Sequence, residues 1–350
     1  MNRSGRALSH RSAFLMISVL SGGALLFATE AAAEVPPPPA GDATPAVLPL
    51  QAPTAAAPPE APVPAAPKPP PPYSLPWQLR PVLAKTVLRA ETAFAFMKDP
   101  RTSESGNTAA MMLLGSYAIT PELAPMVRLG LVANSPPGAA PADVAIVNPV
   151  LGATYSLTLP AHLKLAFFLA VAVPIGMGGG DTPAKSVAAA SRSGILARSA
   201  MDNAMFAVND FTIFPGIDLA YVNAGFTAQA GVTLLQLFRV GGGGGPVPLN
   251  KDATKTNFTA GLHLGYFIVP QFSLSGEIRY QRWLSTPAAV AADKTGASRD
   301  NLTFAVGPRL HFNLGQGVWF RPGIAYARGL DDPMSASGYN IVQLDLPFLF

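Results

Sequence analysis

From Thr86 to the C-terminus the chain alternates apolar and polar residues with a period of two, in twelve stretches of about ten to fourteen residues separated by turn-forming sequence. A helix needs a period near 3.6, so this half-wave pattern dictates an all-β protein. The expected strands run over 86–97, 109–119, 126–135, 146–159, 163–175, 211–222, 225–239, 256–269, 272–285, 301–314, 318–329 and 339–350. Their connections alternate in length. Short ones fall at 120–125, 160–162, 223–224, 270–271 and 315–317, long ones at 98–108, 136–145, 176–210, 240–255, 286–300 and 330–338. Short turns at one end and long loops at the other imply an antiparallel up-and-down order with an even strand count, and closure would leave no unpaired edge.

Parity then decides what each face meets. In the ninth strand Phe272, Leu274, Ile278 and Tyr280 alternate with Ser273, Ser275, Glu277, Arg279 and Gln281. In the tenth, Leu302, Phe304, Val306, Leu310, Phe312 and Leu314 alternate with Thr303, Gly307, Arg309, His311 and Asn313. One row is wholly apolar and bulky, while the other carries charges that a dry interior could not hold unpaired. Composition agrees: the chain is 49% hydrophobic but only 13% charged, against about 25% charged in an ordinary soluble domain. No apolar run of about 20 residues exists beyond position 30, which excludes helical spans. The longest candidate, 163–176, is broken by Lys164 and Pro174. The fold expected is therefore a transmembrane antiparallel up-and-down β-barrel of about twelve strands, with short periplasmic turns, long extracellular loops, an apolar outside and a polar inside.

Three regions are expected along the chain. Residues 1–33 carry Arg3, Arg6 and Arg11, an apolar stretch from Ala13 to Ala28, and Ala31-Ala32-Ala33, the pattern of a cleaved signal peptide and hence of export. Residues 34–75 are nearly all Pro and Ala and read as a disordered periplasmic spacer, extended as polyproline II, with a cell-wall contact left open. Residues 76–350 form the barrel, and Trp77 at its start either sits at the periplasmic interface or caps the lumen. The net charge of +4 contains +2 from the leader, three arginines against Glu30, so it is no nucleic-acid signal. With no cysteine, disulfides, thiolate metal sites and a lipid-bearing Cys are all excluded.

The leader, the alternation and a last strand ending Val342, Leu344, Leu346, Phe348 and Phe350 on one face together resemble a Gram-negative outer-membrane β-barrel, porin-like at the level of class. That resemblance implies residence in the outer membrane, contact with its lipid, and reading of Tyr339, Leu344, Leu346, Phe348 and Phe350 by the barrel-assembly machinery.

By the same parity the ionisable residues expected inside are Arg89, Glu91, Arg128, Lys164, Asp218, Glu277, Arg279, Arg309, Arg321 and Asp345, with His263 and His311. Arg89 and Asp345 would pair where the first and last strands meet. Twelve strands stand between a barrel filled by side chains and one with an aqueous channel, so a small solute could pass unless the lumen is plugged. The loop 176–210 is the plug candidate. It carries a helix-prone run with Asp181 as N-cap and Pro183 in the first turn, and its Lys185, Arg192 and Arg198 would constrict a pore if it folds inward. The expectation is a channel passing small solutes through a polar, slightly cationic lumen; the alternative is a closed structural or surface-interaction barrel tethered through its Pro/Ala segment. No catalytic residues, metal cluster or cofactor loop is indicated: His10 lies in the leader, His162 in a short turn, and the remaining histidines face inward. Aromatics at both strand ends, Tyr266, Phe267, Phe272, Phe312, Trp319 and Phe320 near the turns and Phe94, Phe96, Phe211, Phe238, Trp283 and Tyr326 near the loops, suggest two interfacial girdles.

Overall fold

The computed structural model describes residues 72–242 and 252–350. The expected signal peptide and residues 34–71 of the expected spacer lie outside the described residues. Fifteen strand pieces follow in order: β1 (Val87–Lys98), β2 (Ser105–Ser116), β3 (Leu123–Ser135), β4 (Asp143–Ile146), β5 (Val150–Thr158), β6 (Leu163–Ala172), β7 (Asp210–Asn223), β8 (Phe226–Arg239), β9 (Thr254–Val269), β10 (Phe272–Trp283), β11 (Asp300–Leu310), β12 (Phe312–Gly315), β13 (Val318–Phe320), β14 (Gly323–Gly329) and β15 (Asn340–Leu349). β4 and β5 both pair with β3 and form one stave; β11 with β12, and β13 with β14, form two more. Twelve antiparallel staves result. The first and last zip together from Val87↔Leu349 to Phe96↔Asn340, closing the barrel.

Two of the three strand breaks fall where proline removes a ladder donor. The stave expected at 146–159 is interrupted at Val147-Asn148-Pro149, and the one at 318–329 at Arg321-Pro322. Within β7, Phe214 and Pro215 are skipped in the pairing to β8, which passes from Ile213↔Gln236 to Gly216↔Thr233. β2 begins at Ser105 rather than 109, because Ser105 to Thr108 pair across to β1, and Asn107 and Thr108 also to β3, without an apolar row to announce them. The first long loop therefore shrinks to Asp99–Glu104, no longer than the turn Tyr117–Glu122.

Alternation sorts side chains as a membrane wall requires. Leu129, Leu169, Leu264 and Ile278 point outward and are exposed, Leu169 by 58%, whereas Ala93, Ala166, Ala220 and Thr303 on the opposite parity are buried at 0%. Two aromatics leave the girdles. Phe267, past a register shift beside Phe272, turns inward and stacks on His311 at 4.4 Å, and Trp283 shares the parity of buried Arg279 and Gln281.

The loop between β6 and β7 folds into the barrel. It contains α1 (Lys185–Ala197) and the single turn α2 (Asn203–Phe206). Ala184, not Asp181, precedes the helix, and no side chain caps it. α1 turns Ala188, Ala190, Gly194 and Ala197 inward. The small residues let it lie close: a Cβ on Gly194 would stand 2.3 Å from the Phe206 ring and 2.8 Å from Val132. Asn148, freed by the strand break, turns into the barrel, accepts from Gly176 N–H at 3.0 Å and donates to the Ala207 carbonyl at 2.9 Å. Its own N–H donates to the Met205 carbonyl at 2.8 Å. The break in the wall is thus the anchor of the loop.

Candidate functional site

A second segment fills the opposite half of the barrel. Residues 72–85, ahead of β1, form an irregular strap in which Tyr73, Ser74, Leu75, Trp77, Gln78, Leu79, Val82 and Ala84 are all buried. Tyr73 to Leu75, which composition assigns to the spacer, thus lie inside the barrel, and so does Trp77. Inward glycines leave the room: a Cβ on Gly261 would meet Leu79 at 2.6 Å, and one on Gly323 would meet the Trp77 indole at 2.7 Å.

With no sheet partner, the strap's backbone must bond to side chains of the wall. The Glu277 carboxylate accepts the N–H groups of Trp77 at 2.7 Å and Gln78 at 3.0 Å. Arg89 donates to the carbonyls of Pro76 at 2.8 Å and Trp77 at 2.7 Å. Nearer the short turns, Ser74 N–H donates to Thr227 Oγ1 at 3.0 Å, and Arg321 donates to the Tyr73 carbonyl at 3.1 Å. The Tyr73 hydroxyl donates to Gln229 Oε1 at 2.5 Å, and Gln229 returns a bond to the Arg80 carbonyl at 2.6 Å. Burial pushes the Tyr73 phenol well up, so it serves as a neutral donor. Arg80 pairs with Asp218 at 3.2 Å and stacks on Phe168, and Arg309 lies 4.4 Å over the Trp77 ring.

The inserted loop is held by a four-membered charge ring. Glu91 takes Arg128 at 2.9 Å and Arg198 at 2.6 Å, and Asp202 takes the same two arginines at 2.5 and 2.8 Å. Burial works against both loop charges, but opposite neighbours outweigh it. Glu91 and Asp202 hold the Arg198 pKa above its ordinary value, while Arg128 and Arg198 hold Asp202 below the usual carboxylate range.

The two segments share anchors. Arg89, which grips the strap, also pairs with Glu91 at 2.9 Å and with Asp345 at 2.7 Å; Glu91 is the loop's own ligand. Glu277 pairs with Arg279 at 2.6 Å, and Arg279 donates to Ser199 of the loop at 3.1 Å and to Gln343 at 2.9 Å. Arg309 completes the set on Asp345 at 2.5 Å. Strap and loop are therefore joined through two wall pairs, Arg89 with Glu91 and Glu277 with Arg279.

The residues expected inside separate into groups. Arg89, Glu91, Arg128, Glu277, Arg279, Arg309 and Asp345 meet in this network, and Asp218 and Arg321 hold the strap. His311 is buried and bonds to Ser273 Oγ at 2.8 Å; His263 is buried 3.8 Å from Glu277. Lys164 stands apart at the short-turn end, donating to Thr158 at 3.2 Å. Of the constriction set only Arg198 reaches the interior, where two carboxylates neutralise it; Lys185 and Arg192 stay exposed, on the wall of a cavity of about 1030 Å³ at the long-loop end. Tyr339 is buried, whereas Leu344 and Phe350 face outward. Sequence reasoning missed the strap contacts, Asp202 and Gln343, because none stands out by charge balance or period.

The interior is not uniformly polar. Along the β3 to β8 side Met126, Val150, Phe168, Phe214 and Leu235 face Met201 and Met205 of the loop around a cavity of about 70 Å³, whose edges carry the paired charges Arg80, Asp218, Arg128 and Asp202. Charge is concentrated on the opposite wall, from β9 round to β1.

No family model matches the chain, and no curated protein matches it in sequence. Among solved structures it is similar to the COG4313 outer membrane channel from Pseudomonas putida F1, at 12% identity over 78% of this chain and 98% of that one, TM-score 0.47. It is also similar to the KdgM porin, at 7% identity over 75% and 99%, TM-score 0.41. The β domain of the Bordetella autotransporter BrkA gives 11% identity over 76% and 99%, TM-score 0.41. At these identities and TM-scores neither a residue nor a role is carried from those proteins to this chain.

Proposed function

We propose that this chain is an outer-membrane channel for small solutes whose pathway is closed at rest by two of its own segments, the strap from the short-turn end and the inserted loop from the long-loop end. The observation that carries the reading is how the plugs are held. The strap is irregular and the loop carries α1 and α2, and neither joins a sheet ladder; both are held largely by side chains of the wall, so they can leave while the twelve staves stay paired. A wall built to be closed for good has no need of plugs that are not part of it. The export signal, the outer-membrane address and use of the last strand in assembly belong to the same reading. What favours the structural-barrel alternative is the completeness of the Arg89–Glu91–Arg198–Asp202 network, which leaves little free charge to select an ion.

Conductance separates the two. In planar bilayers the full chain is expected to show rare, brief openings, and Trp77→Ala, which empties the largest side chain of the strap, to raise the open probability at least tenfold. Absence of current in both proteins, across salts and voltages, would discard the channel in favour of the closed barrel.

A further inference from the structure

The cavity at the long-loop end has a chemistry of its own. Its walls are mostly apolar: Ile195 and Leu196 of α1, Phe206 of α2, Leu237 of β8, Trp283 of β10, and Val290 of α3 (Ala288–Ala292). Among the described residues, four acids and four bases stand at its edges, a balance of no net charge. Its deepest acid, Asp210, is already held by Lys255, with Arg239 at 3.8 Å. Lys185 and Arg192 stand at the exposed mouth, so a charged ligand buried against the apolar wall would leave water without a buried countercharge beside it, which is unfavourable.

Two amides at the floor add direction. Asn203 donates its Nδ2 to Asn257 at 3.3 Å, and Asn301 donates its Nδ2 to the Ser199 carbonyl at 3.3 Å. With the nitrogens committed, the Oδ1 atoms of Asn203 and Asn301, both residues more than nine-tenths buried, have no hydrogen-bond partner. What remains is an aromatic and aliphatic wall with two unpartnered acceptors buried directly behind it.

We propose that this vestibule binds uncharged, predominantly apolar small molecules that carry a hydroxyl donor, with the apolar body against Trp283, Ile195 and Val290 and the hydroxyl directed at Asn203 or Asn301. The β3 to β8 wall continues the same chemistry inward. Leu196 and Leu237 lead to Phe206 and Met205, and these to Leu235, Phe214 and Phe168 around the inner cavity. If the channel reading holds, this apolar side is the path such a molecule follows. The inference rests on that reading for transport alone, not for binding.

The test is equilibrium binding to the full chain in lipid nanodiscs, so a pore that never conducts can still return a positive result. The probe is 6-bromo-1-hexanol, whose bromine quenches tryptophan fluorescence, compared with 6-bromohexanoate and 6-bromohexylamine. Binding predicts saturable quenching by the alcohol, loss of the saturable component in Trp283→Phe, and a midpoint roughly tenfold weaker in Ile195→Asn. Because Ile195→Asn could disturb α1, Val290→Asn on the facing wall must give the same weakening. Linear quenching that persists in Trp283→Phe would mean lipid partitioning and overturn the proposal, as would equal saturation by the acid or the amine.

Discussion

Glu277 is the group on which the closed state most depends, and its contribution can be worked out. Its carboxylate takes three strap N–H groups, of which the short pair, from Trp77 at 2.7 Å and Gln78 at 3.0 Å, dominates over that of Leu79 at 3.3 Å. Hydrogen bonds to a charged group contribute about 1.5–3 kcal/mol each, or roughly 3–6 kcal/mol for the pair. In Glu277→Gln the shape persists, but one oxygen becomes a donor and the charge is gone. About one bond survives at about half its strength, so the docked strap loses about 2–4 kcal/mol relative to the released one. At 1.4 kcal/mol per decade the released population rises roughly 30- to 700-fold. The chain has no cysteine, so Gln78→Cys supplies a single reporter at a side chain whose amide has no hydrogen-bond partner. When opening and closing are fast relative to labelling, maleimide reacts at a rate proportional to the released population. The expected result is a 30- to 700-fold faster labelling of the Gln78→Cys, Glu277→Gln protein than of Gln78→Cys alone, with the barrel still resistant to denaturation by detergent at room temperature. Labelling within twofold of the parent, in a folded barrel, would refute the view that Glu277 holds the strap.

Two further predictions concern the loop. Arg198→Gln removes a ligand from Glu91, which Arg89 then engages more strongly at the expense of the strap carbonyls; labelling at Gln78→Cys should rise several-fold although Arg198 touches no strap residue. Combined with Glu277→Gln, the effects should depart from additivity by at least about 0.5 kcal/mol, and strict additivity would separate the two plugs. Asp202 sets an acid limit. Its folded pKa lies below the unfolded value of about 3.9, so its contribution is complete above that value and is lost as the pH falls through the lowered folded pKa. The open probability should therefore be flat from neutrality to about pH 4 and climb below it, and Asp202→Asn should show the raised level already at pH 7; a rise centred near pH 6 in the parent would point to a histidine instead.

Parity made the wall legible, because a strand that pairs on both sides and faces lipid on one has to place its apolar residues at every second position. Twelve staves and their order followed from that constraint and the alternation of turn lengths. Parity cannot see how the interior is filled, since a segment held only by side chains obeys no period. Tyr73 to Arg80 lies at the end of a Pro/Ala tract whose composition masks it. Yet the sequence held a trace on the facing strands. Gly231, Gly261, Gly265 and Gly323 all occupy inward positions, where an open lumen gains nothing from a missing side chain and a filled one gains the space for Leu79, Ser74 and Trp77. The same inward rows carry six bases, Arg89, Arg128, Lys164, Arg279, Arg309 and Arg321, against four acids, Glu91, Asp218, Glu277 and Asp345, so the bases could not all find partners within the wall. A run of inward glycines opposite charges in excess of their cross-strand partners is what a barrel must carry if a piece of its own backbone is to lie inside it, since that backbone brings its own N–H and C=O groups to be satisfied.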